Sequence, residues 1–279
     1  MFPKITNLKT HEQLQDHAKE LGLDLPLEEV AEAAPESPLA EPLQWSGGTI
    51  GNRFCILPME GWDGTLDGKP TDLTTRRWEN FGRSGAKFIW GGEAVAVRHD
   101  GRANPNQLLL SDDNLSSIEG LRLVLEDTHE SEFGTTDDLL VGLQLTHSGR
   151  FSRPNEKKIQ EPSIAYRHPV LDSRSSVTSD EAILSDDDLC RLVDQFIESA
   201  KMAAKAGFTF VDIKHCHGYL GHELLSGIDR SGKFGGSFEN RTRFLRDIVE
   251  GIRTETPELA LGVRLSIFDF VPYTAGDTG

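Results

Sequence analysis

The feature that most restricts the fold of this chain is a repeated switch of hydrophobic period. From Ile50 onward, short apolar runs ("RFCILPM", "AKFIWGGEAVAV", "LLVGLQLTH", "FTFVDIKH" and "LALGVRLSI") alternate with stretches whose apolar residues recur at helical spacing. The helical stretches are "LTTRRWENFGRSG", "LSSIEGLRLVLEDTHE", "DDDLCRLVDQFIESAKMAAKAG" and "FENRTRFLRDIVEGIR". In the third, Leu189, Leu192, Val193, Phe196 and Ala200 share one face, and Ser185 precedes three aspartates suited to the positive end of a helix dipole. Strands alternating with helices predict βαβ units and a parallel sheet.

Two architectures accept such a pattern. A closed (β/α)8 TIM barrel uses eight strands and about 250 residues. An open doubly wound sheet manages with fewer, but ordinarily carries a Gly-rich phosphate turn after a strand, and no GxGxxG or GxxxxGK[ST] occurs here. The glycines of "SGKFGGS" follow no strand and read as a loop. About five β/α units are legible, which leaves either an unusual open sheet or a TIM barrel represented by its first five units, in a piece of a longer protein.

Residues 1–43 read as an N-terminal appendage, and 44–279 as the partial barrel. Thr10 and Gln13 suit a helix N-terminus, Leu14, Ala18 and Leu21 share a face, and Gly22 is a stop. "VAEAAPESPLAEPLQ" then has the composition of an extended linker. The formal charge of −16 argues against nucleic acid and anionic membrane surfaces as partners. No apolar run approaches the roughly 20 residues of a membrane span. Cys55, Cys190 and Cys216 are too scattered for a disulfide framework, and "MFPKITNLKTHEQLQ" lacks a signal-peptide core. The expected location is cytoplasmic, with a small-molecule substrate and an oligomer left open.

Chemistry in parallel α/β folds collects at the C-terminal ends of strands. The first strand here ends in Pro58-Met59-Glu60, the second carries Glu93-Ala94, and the third has Gln144 before "THSGR". The fourth ends in Lys214, His215, Cys216, His217 and Tyr219, and the fifth carries Arg264 and Ser266. Three readings of the fourth strand compete, the plainest being a polar strand end with no special chemistry. His215 and His217, two apart on a strand, share a face, as in metal-dependent barrel hydrolases, with His222 or Asp212 as a third ligand. Against this, Arg264 on the neighbouring strand would repel a cation. The remaining reading is a cluster of hydrogen-bond donors beside a polar-edged cofactor.

The segments "GNRFCILPM", "GGEAVAV", "LQLTHSGRFSRP", "AGFTFVDIKHCHGYLGHELLS", "GGSFENRTRFLRDIV" and "GVRLS" together, in this order, resemble the Old Yellow Enzyme (NADH:flavin oxidoreductase) family. The resemblance runs from about Ile50 to Ser266. It implies an FMN-binding barrel that takes reducing equivalents from NAD(P)H and reduces an activated C=C bond. It also implies cofactor contacts from Pro58, Met59, Glu60, Ala94, Gln144 and Arg264. His217 and Lys214 would hold the substrate oxygen, Tyr219 would donate a proton, and Trp62 would line the substrate side. Gln144 has both donor and acceptor for a pyrimidine edge, and Arg264 offers a permanent cation to an anionic reduced ring.

Two positions depart from the family pattern. Lys214 stands where a histidine is usual, and Glu60 where Thr or Cys donates a hydrogen bond. The segments that bind the FMN phosphate in the family have no match here, which leaves a non-catalytic remnant as a third reading beside the flavoenzyme and the hydrolase.

Overall fold

The computed structural model describes residues 3–28 and 30–267. Helix α1 (His11–Glu20) starts where Thr10 Oγ1 accepts from the Gln13 N–H at 3.2 Å, and the chain leaves it through Gly22 at φ +70°. A hairpin follows, β1 (Leu43–Trp45) against β2 (Gly48–Ile50), antiparallel, with Trp45 opposite Gly48 across the loop Ser46-Gly47. Sequence reading assigned no element there.

The main sheet begins with β3 (Cys55–Ile56), followed by α2 (Asp72–Arg83), β4 (Phe88–Ile89) and β5 (Ala94–Ala96). Next come α3 (Leu115–Phe133), β6 (Leu140–Thr146), α4 (Asp186–Lys205) and β7 (Phe210–His215). After β7 lie α5 (Leu220–Leu225), α6 (Phe238–Arg241), α7 (Arg243–Glu255) and β8 (Ala260–Leu265). Strands β4 and β5 pair with opposite ends of β6, Phe88 opposite Leu140 and Ala94 opposite Gln144. They are two halves of one strand, broken at Gly91 and Gly92, whose φ values are +91° and +42°.

The main-sheet pairings are parallel and their order, β3-β4-β6-β7-β8, follows the chain. A doubly wound sheet would reverse its order partway. Each new strand here joins the same edge, the winding of a (β/α) barrel, and the sheet forms part of such a barrel.

Strand alternation sorts side chains between the two faces. On β7, Val211 and Ile213 join the large core under α3, α4 and α7, while Phe210 joins Leu140 and Ile50 at the bottom of the inner face. Trp45 of the hairpin packs on that bottom cluster. Helix α4 carries a full capping box between Ser185 and Asp188 and buries Leu189, Leu192, Val193, Phe196 and Ala200. Each large side chain among these contributes about 1.5–3 kcal/mol on burial. The single helix expected over 238–253 is two, interrupted at Thr242. No helix among the described residues is long and apolar enough to cross a membrane.

Candidate active site

The C-terminal strand ends surround a cleft of about 590 Å³ whose lining includes Pro58, Met59, Glu60, Trp62, Lys214, His217 and Arg264. These are seven of the ten positions singled out from sequence. Ala94 and Gln144 lie beneath the lining, buried, and Tyr219 reaches the cleft through its hydroxyl.

Parity explains the placement. Asp212 and Lys214 fall on the inner face of β7, opposite Gly262 and Arg264 of β8. Gln144 of β6 is opposite Asp212, and its Nε2 donates to Asp212 Oδ2. Asp212 Oδ1 finds no hydrogen-bond partner among the described residues, and burial pushes its carboxyl above the usual range.

Glu60 is the centre of the cleft's polar contacts. Lys214 Nζ donates to its Oε1, the Tyr219 hydroxyl donates to its Oε2 at 2.6 Å, and Lys214 Nζ sits 4.0 Å from the centroid of the Tyr219 ring. Burial, and then the Glu60 carboxylate, push the Tyr219 phenol well above its ordinary value. The two departures from the family pattern are therefore ion-pair partners. Glu60 faces into the cleft and accepts, where the family pattern has a donor.

A second network sets the loop that carries Glu60. Glu93 is fully buried; its Oε1 accepts from the Gly61 N–H at 2.5 Å and its Oε2 from Arg77 at 2.6 Å, while Arg77 also reaches Asp63. Burial pushes the Glu93 carboxyl up to about 7, with Arg77 and the Gly61 N–H pulling the other way. A Cβ on Gly61 would stand 2.1 Å from Arg77 Nη2, so a larger residue there would displace the Arg77 side chain from this network. Glu93 was noticed at a strand end but given no role; its burial between two half-strands was the missing information.

Arg264 is the least engaged charge in the cleft. Its Nη1 makes one long contact, 3.5 Å to the Pro58 carbonyl, and it has no ion pair among the described residues. His217 lines the same cleft with φ +62°, a left-handed conformation uncommon outside glycine. Burial and the nearby Lys214 and Arg264 cations lower its pKa, so it faces the cleft as a neutral imidazole at pH 7.

The shared face that the metal reading gave His215 and His217 is not formed. Strand β7 ends at His215, so its alternation does not extend to His217. His215 points outward, buried, its ring 6.1 Å from that of Phe244 in the helix layer. Burial pushes it down to about 4. His222 is engaged by the backbone, its Nδ1 accepting from the Gly218 N–H at 2.8 Å. Asp212 is held by Gln144. Among the described residues no group of three His, Cys, Asp or Glu side chains is placed to hold a metal ion.

Similarity to known proteins identifies the family. The model of the NADH:flavin oxidoreductase / NADH oxidase family matches residues 38–277. An NADH:flavin oxidoreductase of Gibberella zeae is 28% identical over 248 residues, covering 84% of this chain and 58% of its own length. An NADPH dehydrogenase of Geobacillus thermodenitrificans is 31% identical over 243 residues, covering 84% of this chain and 64% of its own. The solved structure of the old yellow enzyme homologue from Zymomonas mobilis superposes with a TM-score of 0.65 at 25% identity, over 81% of this chain and 62% of that one. The chain thus spans about three fifths of the length of these relatives. With the family model covering most of the sequence and the singly wound parallel sheet carrying its strand-end residues into one cleft, the chain belongs to the NADH:flavin oxidoreductase / NADH oxidase family.

Proposed function

We propose that this protein is an FMN-dependent ene-reductase driven by NAD(P)H, and that residues 44–279 supply the first five β/α units of its barrel, with 1–43 as an appendage. The observation that carries the reading is the cleft itself. Two cations, Lys214 and Arg264, and a neutral His217 face a single acid, Glu60, above a surface of Met59, Leu57 and Trp62. The cleft suits a planar heteroaromatic ring with polar atoms on its edge, because Arg264 faces it with spare donors. Met59 and Trp62, each more than half exposed, offer apolar surface to a ring face.

In this reading Arg264, Gln144, Ala94 and the Pro58-Met59-Glu60 turn hold the isoalloxazine end of FMN. When bound, FMN supplies hydride exchange between a nicotinamide nucleotide and the β-carbon of an alkene conjugated to a carbonyl. His217 and Lys214 hold the carbonyl oxygen and favour the negative charge that develops on it. Lys214 has three N–H donors, so its bond to Glu60 leaves capacity for the substrate. Tyr219 gives its hydroxyl proton to the α-carbon. Trp62 walls the substrate side.

The test begins with FMN uptake by the purified protein, followed by anaerobic reduction with NADPH or NADH and reoxidation by a cyclic enone. Tyr219→Phe should slow the alkene half-reaction by roughly 10²–10⁴-fold, the scale of a positioned acid, and leave the nicotinamide half unchanged. Full-length protein, with the barrel's remaining units, that takes up no FMN would refute the reading.

A further inference from the structure

Glu60 and Lys214 are separated by 154 residues, yet they meet in the cleft and share Tyr219. This arrangement poses a problem for a tyrosine acid. Its O–H points at a carboxylate, and losing that proton would place a phenolate against Glu60, two anions in contact within a poorly hydrated site. A proton has to replace the one that leaves. The nearest source is the Lys214 ammonium, bonded to the other oxygen of the same carboxyl group.

Resting on the reading that Tyr219 protonates the substrate, we propose that Lys214, Glu60 and Tyr219 form a proton relay in which the Lys214 ammonium is the net acid. The Tyr219 O–H bond breaks as a C–H bond forms on the substrate. An N–H bond of Lys214 breaks as an O–H bond forms on Glu60, and that proton restores the Tyr219 hydroxyl. A half-turn of the carboxyl group, whose terminal torsion is soft, brings the protonated oxygen to the phenol. One proton leaves Lys214, which ends neutral, and no electrons move within the relay. Transfer from Lys214 to Glu60 and the half-turn come first; the neutral carboxyl then passes its proton to the phenol as the phenol gives its own to the substrate, so no free phenolate meets an ionised Glu60.

The other groups around the phenol do not supply this path. Cys216 is buried and its thiol is pushed up by burial, and Ser148 is a hydroxyl with no stronger acid behind it among the described residues. His217 is held neutral, its ring 6.4 Å from that of Tyr219 and edge-on to it. Arg264 is a permanent cation and does not release its proton.

The relay separates proton transfer from charge. Lys214→Arg keeps a cation beside Glu60 but cannot give up a proton near neutral pH. Glu60→Gln keeps an acceptor for the Tyr219 hydroxyl but cannot carry one. In the FMN-loaded protein, both variants should slow alkene reduction by roughly 10²-fold or more, well beyond any change in nicotinamide oxidation. For wild type, the rate in H₂O–D₂O mixtures should curve downward, reporting more than one proton in flight; for Lys214→Arg the plot should straighten. A readout that needs no flavin is the alkaline absorbance titration of Tyr219, isolated by difference against Tyr219→Phe. Glu60→Gln should move that titration to lower pH. Wild-type alkene rates in Lys214→Arg, with Tyr219→Phe slow, would overturn the relay and leave Tyr219 as the sole acid. Wild-type rates in Tyr219→Phe would overturn both the relay and the role of Tyr219. An unmoved phenol titration in Glu60→Gln would show that Glu60 does not hold the hydroxyl, which also overturns the relay.

Discussion

Arg150, just past the end of β6, and Arg264, near the end of β8, are in opposite states. Arg150 is fully buried. Its Nε donates to Glu223 at 2.9 Å, its Nη1 to Asp172 and Ser175, and its Nη2 to the Tyr166 carbonyl at 2.7 Å and again to Glu223. These contacts engage all five N–H donors of a guanidinium. Arg264 faces the cleft with one long contact. A structural cation is one whose hydrogen bonds the fold already satisfies; a cation left with spare donors at a concave surface is available to a ligand. The same contrast separates Glu223, closed around Arg150, from Glu60, which stands between two groups that can exchange protons.

The strongest way to break this comparison is to remove the satisfied partner. Arg150→Met would leave Glu223 and Asp172 without their shared counter-ion in a buried site. Breaking such a pair from one side costs about 3–5 kcal/mol. Urea denaturation at pH 7 should show a loss of that size. A loss below about 1 kcal/mol, the level of an exposed pair, would mean the network is hydrated and the contrast with Arg264 is false.

Strand β7 repeats the contrast between neighbours, Lys214 facing in and His215 facing out. Burial lowers the folded-state pKa of His215 from 6.5 to about 4. The unfolded chain therefore binds this proton at a higher pH than the folded one. The stability contribution of the neutral ring is complete above pH 6.5, declines as pH falls below it, and levels off below about 4. At about 1.4 kcal/mol per tenfold change in proton affinity, the decline is on the order of 3 kcal/mol. His215→Phe should abolish this limb while leaving the cleft unchanged. An identical acid profile in wild type and variant would place His215 in a wetter setting than the helix layer.

Much of the fold was legible because it is written locally. The change between two-residue and helical periods marked the β/α units, and Ser185 with its aspartates marked the start of α4. The hairpin over 43–50 was legible in principle, since Ser46-Gly47 between two short apolar segments is a hairpin signal. Residues 147–185 carry no such period; their order depends on Arg150, whose partner Glu223 lies 73 residues away. In the site, Lys214 and Arg264 were singled out by resemblance, and the pairing of β7 with β8 sets them opposite each other. Strand alternation, extended past the end of β7, wrongly paired His215 with His217. Gly218, itself at φ +72°, was the local sign that the chain turns there. Sequence showed Glu60 and Lys214 as two separate departures, and only folding shows them as one.

The smallest expected effect on stability is also the one that most sharpens the comparison. Arg264 occupies the end of β8, opposite Lys214, with its inner-face neighbours Gly262 and Asp212 one step deeper. Arg264→Met keeps much of the apolar stem and removes a charge that has no ion pair among the described residues. Stability without flavin should therefore stay within about 0.5 kcal/mol of wild type, as for substitutions away from buried networks. Affinity for FMN is where the loss should appear. A hydrogen bond to a charged group contributes about 1.5–3 kcal/mol, a weakening of roughly 10- to 150-fold. The reduced flavin should lose more than the oxidised one, because the cation favours its added negative charge, so the FMN midpoint potential should fall. Fluorescence titration of FMN, denaturation of the flavin-free protein and a redox titration together decide it. Unchanged affinity and potential would show that Arg264 is idle in the complex as well. A stability loss like that of Arg150→Met would show instead that it serves the fold.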